Sequence, residues 1–333
     1  MSLDQNQIIF INEYPNLYGG TEHYVYQVSQ NLRIRGFETI LLYCAKKFPD
    51  EKMVKAFDQL YPIIDLKNQL ESFPSGIIYF NNFRDPSLIR QLQNVQQPVF
   101  RFIHDHYLTC PRSSKTNPIT NETCRKTVGI NCYTCPGVIS RPDGKLKFRS
   151  PRETLRELLQ HNNFKSIIVS SKYLQNEMIQ NGIASKRISI NPIYRSDLDQ
   201  KFSPGLSRKK NQILFVGSLI KGKGVDLLIK AMSESKNSFK LKIAGDGPWR
   251  KKLEGLAQST PSKSHIEFLG KVNQTELGVY YQESKAVIVP STLPETFSKA
   301  GADGLHFGTL PICADVGGIS SWCKHGINGY LFK

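Results

Sequence analysis

The sequence predicts an α/β fold made of two doubly wound domains, and three observations lead to it. Short apolar runs typical of buried strands alternate with helical segments in the first half of the 333 residues. A polar, proline-containing stretch at 191–211 follows and is interpreted as a linker. The same alternation then begins again. Because strands separated by helices form parallel sheets covered on both faces, one such sheet is expected in each half.

In the first half, one strand leads into a glycine loop and a helix. The loop carries Gly19 and Gly20, and Thr21 can cap a helix that stops at Gly36. A loop of residues without Cβ lets the backbone approach a ligand closely. The strand-like runs of this half are Ile8–Ile11, Thr39–Cys44, Ile77–Phe80, Val99–Ile103 and Ile167–Val169.

The second half repeats the pattern with sharper turns. Val225–Met232 reads as a helix, and a Gly245-Asp246-Gly247-Pro248 turn precedes a Lys-rich helix. Its strand-like runs are Ile213–Val216, Leu241–Ala244, Ile266–Leu269, Ala286–Val289 and Leu310–Cys313. Ligands of such sheets bind beyond the carboxyl ends of the strands, where the glycine turns and acids of this chain lie.

The stretch 290–318 is the most informative segment. Glu295 stands between a strand and a helix, and Asp303 follows eight positions later, about two helical turns away. The free N–H groups and positive dipole end of a helix N-terminus suit a phosphate. Carboxylates suit sugar hydroxyls. The segment therefore predicts a site for an anionic, hydroxyl-bearing ligand.

The charge balance narrows the class of ligand. The chain has 44 Lys and Arg against 28 Asp and Glu, a formal net charge of +16. Residues 110–172 carry twelve basic against four acidic side chains, and residues 201–252 carry thirteen against three. Solvated helix faces explain many such patterns. Because no zinc-finger or RNP pattern accompanies the charge, phosphorylated ligands and an anionic membrane surface are favoured over nucleic acid.

Several pieces of the second half, taken in order, resemble the nucleotide-sugar domain of family-4 retaining glycosyltransferases, which have the GT-B fold. The pieces are ILFVGSLIKGKGVDLLIKA from Ile213, LKIAGDGPWRKKLE from Leu241, IEFLGKV from Ile266, PSTLPETFSKAGADG from Pro290 and HGINGYLF from His325. The first half resembles the family through Gly19-Gly20-Thr21-Glu22 and His104-Asp105. The resemblance implies two Rossmann-like domains facing each other across a cleft.

The same resemblance implies domain limits and a reaction. Residues 1–192 would form the acceptor-side domain, with a cysteine-bearing insertion at about 107–148, and residues 193–333 the nucleotide-sugar domain. The reaction would move a sugar from a nucleoside diphosphate (UDP, GDP or ADP) to the hydroxyl of a glycan, polysaccharide or lipid-linked acceptor, with retention of anomeric configuration. No catalytic metal is expected.

Site residues are carried over position by position. Lys223 falls where the family places the lysine that neutralises the donor diphosphate, and Glu295 where it places the acid near the donor sugar. His104 falls where a histidine contacts that sugar. Asp303 falls at the acid that binds ribose. The remaining donor-binding positions implied are Gly19, Gly20, Ser218, Gly245, Asp246, Gly247, Thr296, Phe297, Ser298 and Lys299.

The chain departs from the family at several positions. Ser218 stands where the family has an Arg that holds the diphosphate, and Ser cannot replace a bidentate cation. Asp303 replaces a Glu that is one methylene longer. The chain ends at Lys333 without the usual final helices. A relative that binds a nucleotide sugar without turnover is therefore an alternative, as is a nucleotide-sugar epimerase on the same fold.

Four cysteines lie in the insertion: Cys110, Cys124, Cys132 and Cys135. The CxxC pair and the shortage of apolar residues around it make a structural zinc site a candidate. An iron–sulfur cluster or plain thiols remain open as alternatives. A zinc-dependent nucleic-acid module would use the same residues with the basic charge. The other three cysteines, Cys44, Cys313 and Cys323, read as core residues.

Several single residues keep two interpretations. Asp105 could orient His104 or cap a turn, His106 could be a surface residue or a metal ligand, and Glu22 could be a first-turn helix acid or a ligand contact. The N-terminus lacks the pattern of a signal peptide, and no run reaches the ~20 apolar residues that span a bilayer. A cytoplasmic protein, peripheral on the cytoplasmic face of the membrane, is expected.

Overall fold

A computed structural model describes residues 6–17, 19–81, 83, 85–120, 122–135, 139–140, 147–193, 209–235 and 239–333 of the chain. The chain divides into two compact units. Unit 1 comprises residues 1–119 and 125–197, and unit 2 comprises residues 120–124 and 198–333. Most of the predicted linker at 191–211 falls outside the described residues.

The described part of unit 1 contains a parallel sheet of seven strands in the order β3-β2-β1-β4-β5-β8-β9, and an antiparallel pair, β6 and β7. Its elements are β1 (Gln7–Asn12), α1 (Gly20–Ile34), β2 (Glu38–Cys44), α2 (Glu51–Ala56), β3 (Gln59–Ile63), α3 (Leu66–Glu71), β4 (Ile77–Phe80), α4 (Pro86–Leu92), β5 (Val99–Ile103), α5 (Asn131–Thr134), β6 (Ile139–Ser140), β7 (Lys147–Phe148), α6 (Pro151–Gln160), β8 (Ser166–Val169), α7 (Lys172–Gln180) and β9 (Ile188–Ile190).

The described part of unit 2 contains a parallel sheet of six strands in the order β12-β11-β10-β13-β14-β15. Its elements are β10 (Gln212–Val216), α8 (Val225–Glu234), β11 (Lys240–Ala244), α9 (Arg250–Gln258), β12 (Ile266–Gly270), α10 (Gln274–Glu283), β13 (Ala286–Val289), α11 (Lys299–His306), β14 (Leu310–Ala314) and β15 (Tyr330–Phe332). The predicted fold class, two doubly wound α/β sheets, is confirmed.

The cores explain why the central strands were visible in the sequence. Strand β1 is apolar along most of its length and nearly all of it is buried, as expected for a strand covered on both faces. Buried apolar side chains lie on both faces of each sheet. In unit 2 one cluster lies on each face, whereas in unit 1 two clusters share one face and Phe10, Leu41 and Phe102 are buried on the other. The strands β3 and β9 were not predicted. Both are edge strands with little burial, and β3 contains Pro62, which a sheet edge tolerates.

Each sheet has a point where the strand order reverses. In unit 1 it lies between β1 and β4, and in unit 2 between β10 and β13. On either side of such a point, successive crossovers lead away in opposite directions, which opens a crevice at the carboxyl ends of the two strands. These two crevices are where ligand-binding residues are expected.

Candidate functional site

In unit 2, two oppositely charged side chains meet at the reversal point. Lys223 follows β10 and Glu295 follows β13, and the Lys223 Nζ lies 2.7 Å from the Glu295 Oε1. The same oxygen accepts a hydrogen bond of 2.5 Å from the Ser291 hydroxyl. The Lys223 side chain is 26% exposed and that of Glu295 13%, so the pair is partly shielded yet open to a ligand. The structure thus brings together the two residues predicted to bind the diphosphate and the donor sugar.

Two glycines allow this approach. Gly224 has a φ of +72°, and a Cβ there would lie 1.8 Å from the Pro290 carbonyl oxygen. Gly222 has a φ of +89°, and its carbonyl accepts a hydrogen bond of 2.8 Å from the Thr292 N–H. The loop after β10 therefore packs directly on the loop after β13, which only residues without a Cβ permit. The Gly-Lys-Gly order of the sequence has this physical cause.

The loop after β11 packs on the same side. A Cβ on Gly245 would lie 1.9 Å from the Gly217 carbonyl oxygen, and the Leu219 N–H donates to the Asp246 carbonyl at 3.0 Å. The Asp246 carboxylate accepts from the Gly247 N–H at 2.7 Å. These contacts give the predicted donor-binding residues Gly245, Asp246 and Gly247 a role in shaping the loop. Ser218 lies exposed in the neighbouring loop.

Helix α11 begins beside Glu295 without a side-chain cap. Its N-cap, Ser298, has a φ of +65° and makes no capping hydrogen bond with its side chain. The segment before it is held by a buried hydrogen bond of 2.5 Å from the Trp322 indole N–H to the Phe297 carbonyl. The Glu295 carbonyl accepts from the Gly318 N–H at 2.6 Å. The helix start is therefore fixed by backbone contacts.

Helices α1, α8 and α11, which begin near the reversal points, have no side-chain cap. Helices α5 and α9 also lack one. Other helices are capped in the usual way, for example α2 by Asp50, α6 by Ser150 and α10 by Asn273. Helix starts without a capping side chain have N–H groups that suit an anion.

Asp303 lies one helical turn below the start of α11 and is buried, with 5% of its surface exposed. Both of its carboxylate oxygens accept from the Lys299 ammonium, at 2.8 and 2.7 Å. The two predicted acids of unit 2 are thus each paired with a predicted cation. A diphosphate entering this site would compete with carboxylates for the same ammonium groups.

In unit 1, the glycine loop after β1 leads into α1, which begins at Gly20. Glu22 is only 3% exposed and lies under the loop, since a Cβ on Gly19 would be 3.2 Å from its Oε2. Burial raises the pKa of this carboxyl above its usual range, against the hydrogen bonds it accepts from backbone N–H groups. The structure favours a supporting position for Glu22 beneath the loop.

His104 follows β5 and is enclosed by aromatic rings. Its imidazole stacks on Phe102 at 4.3 Å between ring centroids and meets Tyr24 edge-on at 5.3 Å. Its Nε2 lies 3.2 Å from the Asn81 Oδ1. Burial, together with the charge of Arg101, lowers the pKa of His104 to about 3, and Asp105 opposes the shift. The imidazole is therefore uncharged at neutral pH.

The contacts of Asp105 and His106 decide between the two interpretations of each residue. The Asp105 carboxylate accepts from the Tyr107 N–H at 2.8 Å, which is the turn-capping interpretation. His106 is buried, 3% exposed, and lies 3.4 Å from the Thr109 hydroxyl, so it is not a surface residue. Sequence reasoning missed Asn81. A polar residue directly after the apolar run Ile77–Phe80 was the available signal, because strand ends at this edge bear ligand-binding groups.

None of the four cysteines of the insertion forms a disulfide in the described structure. Within the described residues, no group of three or more His, Cys, Asp or Glu side chains is placed to hold a metal ion. Cys135 donates weakly to the Cys132 carbonyl, with sulfur and oxygen 3.7 Å apart. The zinc site stays a prediction. Elsewhere, Cys313 and Cys323 are buried and Cys44 is partly buried.

Comparison with known proteins finds a family match in the second half of the chain. Residues 196–333 match the family of glycosyl transferases group 1. An uncharacterized glycosyltransferase of Methanocaldococcus jannaschii, MJ1607, is 33% identical over 155 residues, which are 46% of this chain and 40% of the relative. The alpha-monoglucosyldiacylglycerol synthase of Acholeplasma laidlawii is 27% identical over 182 residues, 50% of this chain and 45% of the relative. The matches thus span less than half of either relative.

Solved structures show the same fold over almost the whole chain. Alr3699/HepE from Anabaena, in complex with UDP and glucose, superposes with a TM-score of 0.70 at 16% identity, covering 98% of this chain and 85% of that one. Sucrose-phosphate synthase from Thermosynechococcus elongatus superposes with a TM-score of 0.63 at 17% identity, covering 98% and 85%. These neighbours are GT-B glycosyltransferases, and the GT-B fold predicted from the sequence is confirmed. At such identities the likeness concerns the fold alone.

Proposed function

We propose that this chain is a retaining glycosyltransferase that moves a sugar from a nucleoside diphosphate to an acceptor hydroxyl. The observation that carries the proposal is the Lys223–Glu295 pair, 2.7 Å apart at the reversal point of unit 2. An ammonium and a carboxylate there match the two parts of a nucleotide sugar, its diphosphate and its hydroxyls. The match of residues 196–333 to glycosyl transferases group 1 supports the same assignment.

The donor we propose is a UDP-sugar. Alr3699/HepE was crystallised with UDP, with UDP and glucose, and with UDP-glucose. In this chain the start of α11 and Lys223 would bind the diphosphate. Asp303 would accept from the ribose hydroxyls, and Glu295 would bind the sugar. The base and the sugar are the finer part of the proposal, since they rest on a structural neighbour.

The reaction needs no group beyond these side chains. The bond from the anomeric carbon to the phosphate oxygen breaks, and the bond to the acceptor oxygen forms on the same face of the sugar. The proton of the acceptor hydroxyl passes to the departing phosphate oxygen. Lys223 stabilises the charge that develops on the diphosphate, as a preorganised cation does in a partly shielded site. His104, being uncharged, contributes a hydrogen bond to the sugar.

The ion pairs give the donor site a defined resting state. Each cation is held by an acid, Lys223 by Glu295 and Lys299 by Asp303. The pairs keep the ammonium groups ordered before the donor arrives, which lowers the entropy lost on binding. When the diphosphate takes over Lys223, Glu295 becomes available to sugar hydroxyls. The transfer of Lys223 from Glu295 to the diphosphate thus makes both the cation and the carboxylate available to the donor.

A thermal-shift screen with UDP, GDP, ADP and their sugars tests the proposal. UDP and a UDP-sugar should stabilise the chain, and Lys223→Ala and Glu295→Ala should remove the shift with the sugar nucleotide. Lys230→Ala, an exposed lysine on α8, is the matched control and should keep it. If the shift survives both site variants, the assigned site is wrong.

A nucleotide-sugar-binding protein without turnover is the second candidate, and Ser218 favours it. Ser218 is exposed beside the donor loop, at the position of the Arg that the family uses. Calorimetry would show UDP binding in both cases. Release of UDP from a UDP-sugar in the presence of acceptor mixtures occurs only with the transferase. Binding with no release from any acceptor or water would establish the second candidate.

We further propose a glycan, polysaccharide or lipid-linked acceptor and an anionic membrane surface as partner, for a cytoplasmic protein peripheral on the membrane. No described helix is long and apolar enough to cross a membrane. In the basic stretch 110–156, Ile130 is 85% and Phe148 68% exposed, and exposed Arg125 and Lys126 lie nearby. Apolar and basic side chains together suit an anionic lipid surface. Liposome flotation showing no difference with and without anionic lipid would remove this part.

Two further assignments belong to the proposal. We place the domain limits at 1–192 and 193–333, with the insertion at about 107–148. We also retain the structural zinc at Cys110, Cys124, Cys132 and Cys135. Metal analysis of the purified chain tests the zinc: one equivalent lost on substituting Cys132 and Cys135 together supports it, and a metal-free native chain excludes it.

A further inference from the structure

Asn81 lies directly after β4 and is completely buried. Its backbone is held on both sides, because its N–H donates to the Ile11 carbonyl at 2.8 Å and its carbonyl accepts from the Phe83 N–H at 3.0 Å. The same carbonyl accepts from the Arg101 guanidinium. Three hydrogen bonds therefore fix the backbone of Asn81.

Arg101 makes this arrangement rigid. Its guanidinium is buried, 5% exposed, and lies over the Phe80 ring at 3.8 Å from the ring centroid. It also donates to the Phe83 carbonyl at 3.3 Å. A cation buried here needs these carbonyls, so the segment that carries Asn81 cannot move without exposing an unpaired charge.

The orientation of the Asn81 amide follows from its neighbours. Its Nδ2 donates to the Tyr79 carbonyl at 3.1 Å. A backbone carbonyl only accepts, so the NH2 group must face Tyr79 and the Oδ1 must face His104. The Oδ1 likewise only accepts. The hydrogen of the 3.2 Å contact therefore belongs to the Nε2 of His104.

A neutral imidazole has one N–H, and the other ring nitrogen has a lone pair. We infer that Asn81 is a positioning residue that fixes His104 in the Nε2–H tautomer, so that Nδ1 is a hydrogen-bond acceptor. Phe102 and Tyr24 hold the plane of the ring. His104 lines a small recess together with Arg101, Asp105 and Tyr107.

The tautomer determines which group His104 can bind. A nitrogen lone pair accepts from a hydroxyl and repels phosphate and carboxylate oxygens. Nδ1 of His104 would therefore accept from a hydroxyl of the sugar substrate, and this clause rests on the proposed function. An imidazolium, or the opposite tautomer, would present an N–H and would equally accept an anionic group. Asn81 thus determines which ring nitrogen of His104 is the acceptor.

Nitrogen-15 NMR of the full chain labelled at histidine tests the tautomer without any assay of activity. The His104 signals are assigned by their loss in His104→Asn. Between pH 5 and pH 8 we expect a protonated Nε2, an unprotonated Nδ1 and no titration of the His104 ring. The charged groups that face the ring are Arg101 and Asp105. An Nδ1–H tautomer or an imidazolium at pH 7 would overturn the inference.

Variants of Asn81 test the positioning role. Asn81→Leu keeps the branched shape of the side chain and removes the acceptor, so His104 should become a mixture of tautomers, with kcat reduced about 10- to 100-fold. Asn81→Asp keeps an acceptor on Nε2 and adds a charge. It should retain the Nε2–H tautomer and raise the pKa at which His104 titrates. Unchanged tautomer and kcat in Asn81→Leu would contradict the role.

Two controls separate the possible failures. The UDP-induced thermal shift depends on unit 2 and should be the same in both variants, which shows that they are folded. If Asn81→Leu does not fold, a His104 titration in Asn81→Asp that is identical to the native one overturns the contact. If the native chain transfers no sugar, the proposed function fails while the NMR result still decides the tautomer.

Discussion

The two reversal points have the same topology and opposite chemistry. The reversal point of unit 2 carries two charged pairs, Lys223 with Glu295 and Lys299 with Asp303. They lie on loops or in the first two turns of a helix. The reversal point of unit 1 carries an uncharged imidazole and an amide among aromatic rings. A doubly wound sheet therefore supplies the place for a ligand, and the residues after its strands decide which ligand it is.

The difference is consistent with the two units binding different chemical groups of a ligand. A diphosphate needs cations and open helix starts, and unit 2 provides both. In the proposed function, the uncharged His104 of unit 1 accepts from a hydroxyl of the sugar.

Removing the cation of unit 2 should have the largest effect. Lys223→Ala should lower kcat by about 10²- to 10³-fold, because a preorganised charge that stabilises the leaving group is lost. Steady-state kinetics with a UDP-sugar measure it. Lys230→Ala should leave the rate unchanged. A loss confined to KM would show that Lys223 binds the donor equally in the ground state and the transition state, and would contradict its proposed catalytic role.

The close contact between the loops after β10 and β13 predicts a large effect on stability. In Gly224→Ala the new Cβ would meet the Pro290 carbonyl at 1.8 Å in a backbone with a φ of +72°. The free energy of unfolding should fall by roughly 2–4 kcal/mol. Urea denaturation of the chain measures it.

The control for Gly224 is another glycine of unit 2. Gly255 lies inside α9, and a Cβ there meets nothing within 4 Å. Gly255→Ala should stabilise the chain by about 0.5–1 kcal/mol, since Gly is unfavourable inside a helix. Equal effects of the two substitutions would mean that the loop contact at Gly224 is absent in solution.

How far the sequence predicted this site depends on the kind of signal. Glu295 was found from a local strand–loop–helix pattern, and Lys223 from the resemblance of its segment to a known family. Asn81 was missed because its role comes from β4 lying beside β5, a long-range pairing that a single polar residue does not reveal. The Lys299–Asp303 pair was open to prediction at i,i+4 spacing, yet both residues were assigned to the ligand alone.

Acid should destabilise unit 1 through its neutral histidines. His161 is completely buried, and burial together with Arg101 lowers its pKa to about 3. In the unfolded chain a histidine titrates near its ordinary value of about 6.5. Between these values the unfolded chain binds more protons, so stability falls as the pH falls through the window. At pH 5 the loss is up to about 2 kcal/mol for one such histidine.

Urea denaturation at pH 7 and at pH 5 measures this loss. In His161→Gln the side chain is neutral at both pH values, so the difference in unfolding free energy between them should shrink. His306→Gln, at an exposed position on α11, is the control and should keep the native difference. An unchanged difference in His161→Gln would show that the buried imidazole accepts a proton in the folded state.

Adding a cation to unit 2 should have the smallest effect and sharpens the comparison most directly. Ser218 is exposed beside the donor loops and can accommodate a long side chain. Ser218→Arg should tighten UDP binding about tenfold, because a guanidinium makes charge-assisted hydrogen bonds with a diphosphate. The gain is limited to this size because the position is exposed to solvent, which weakens such bonds. Calorimetry at low and high salt measures it, and the gain should shrink as salt screens the charge.

Ser218→Gln is the matched variant without charge and should leave the affinity unchanged. If Ser218→Arg binds UDP more tightly and also releases it faster from a UDP-sugar, the missing cation limits the native transferase. If binding tightens while the rate stays the same, the native pair of Lys223 and Glu295 already supplies what the transition state needs. No gain in affinity would mean that the loop carrying Ser218 does not face the diphosphate, and the assignment of that loop to the donor site would be wrong.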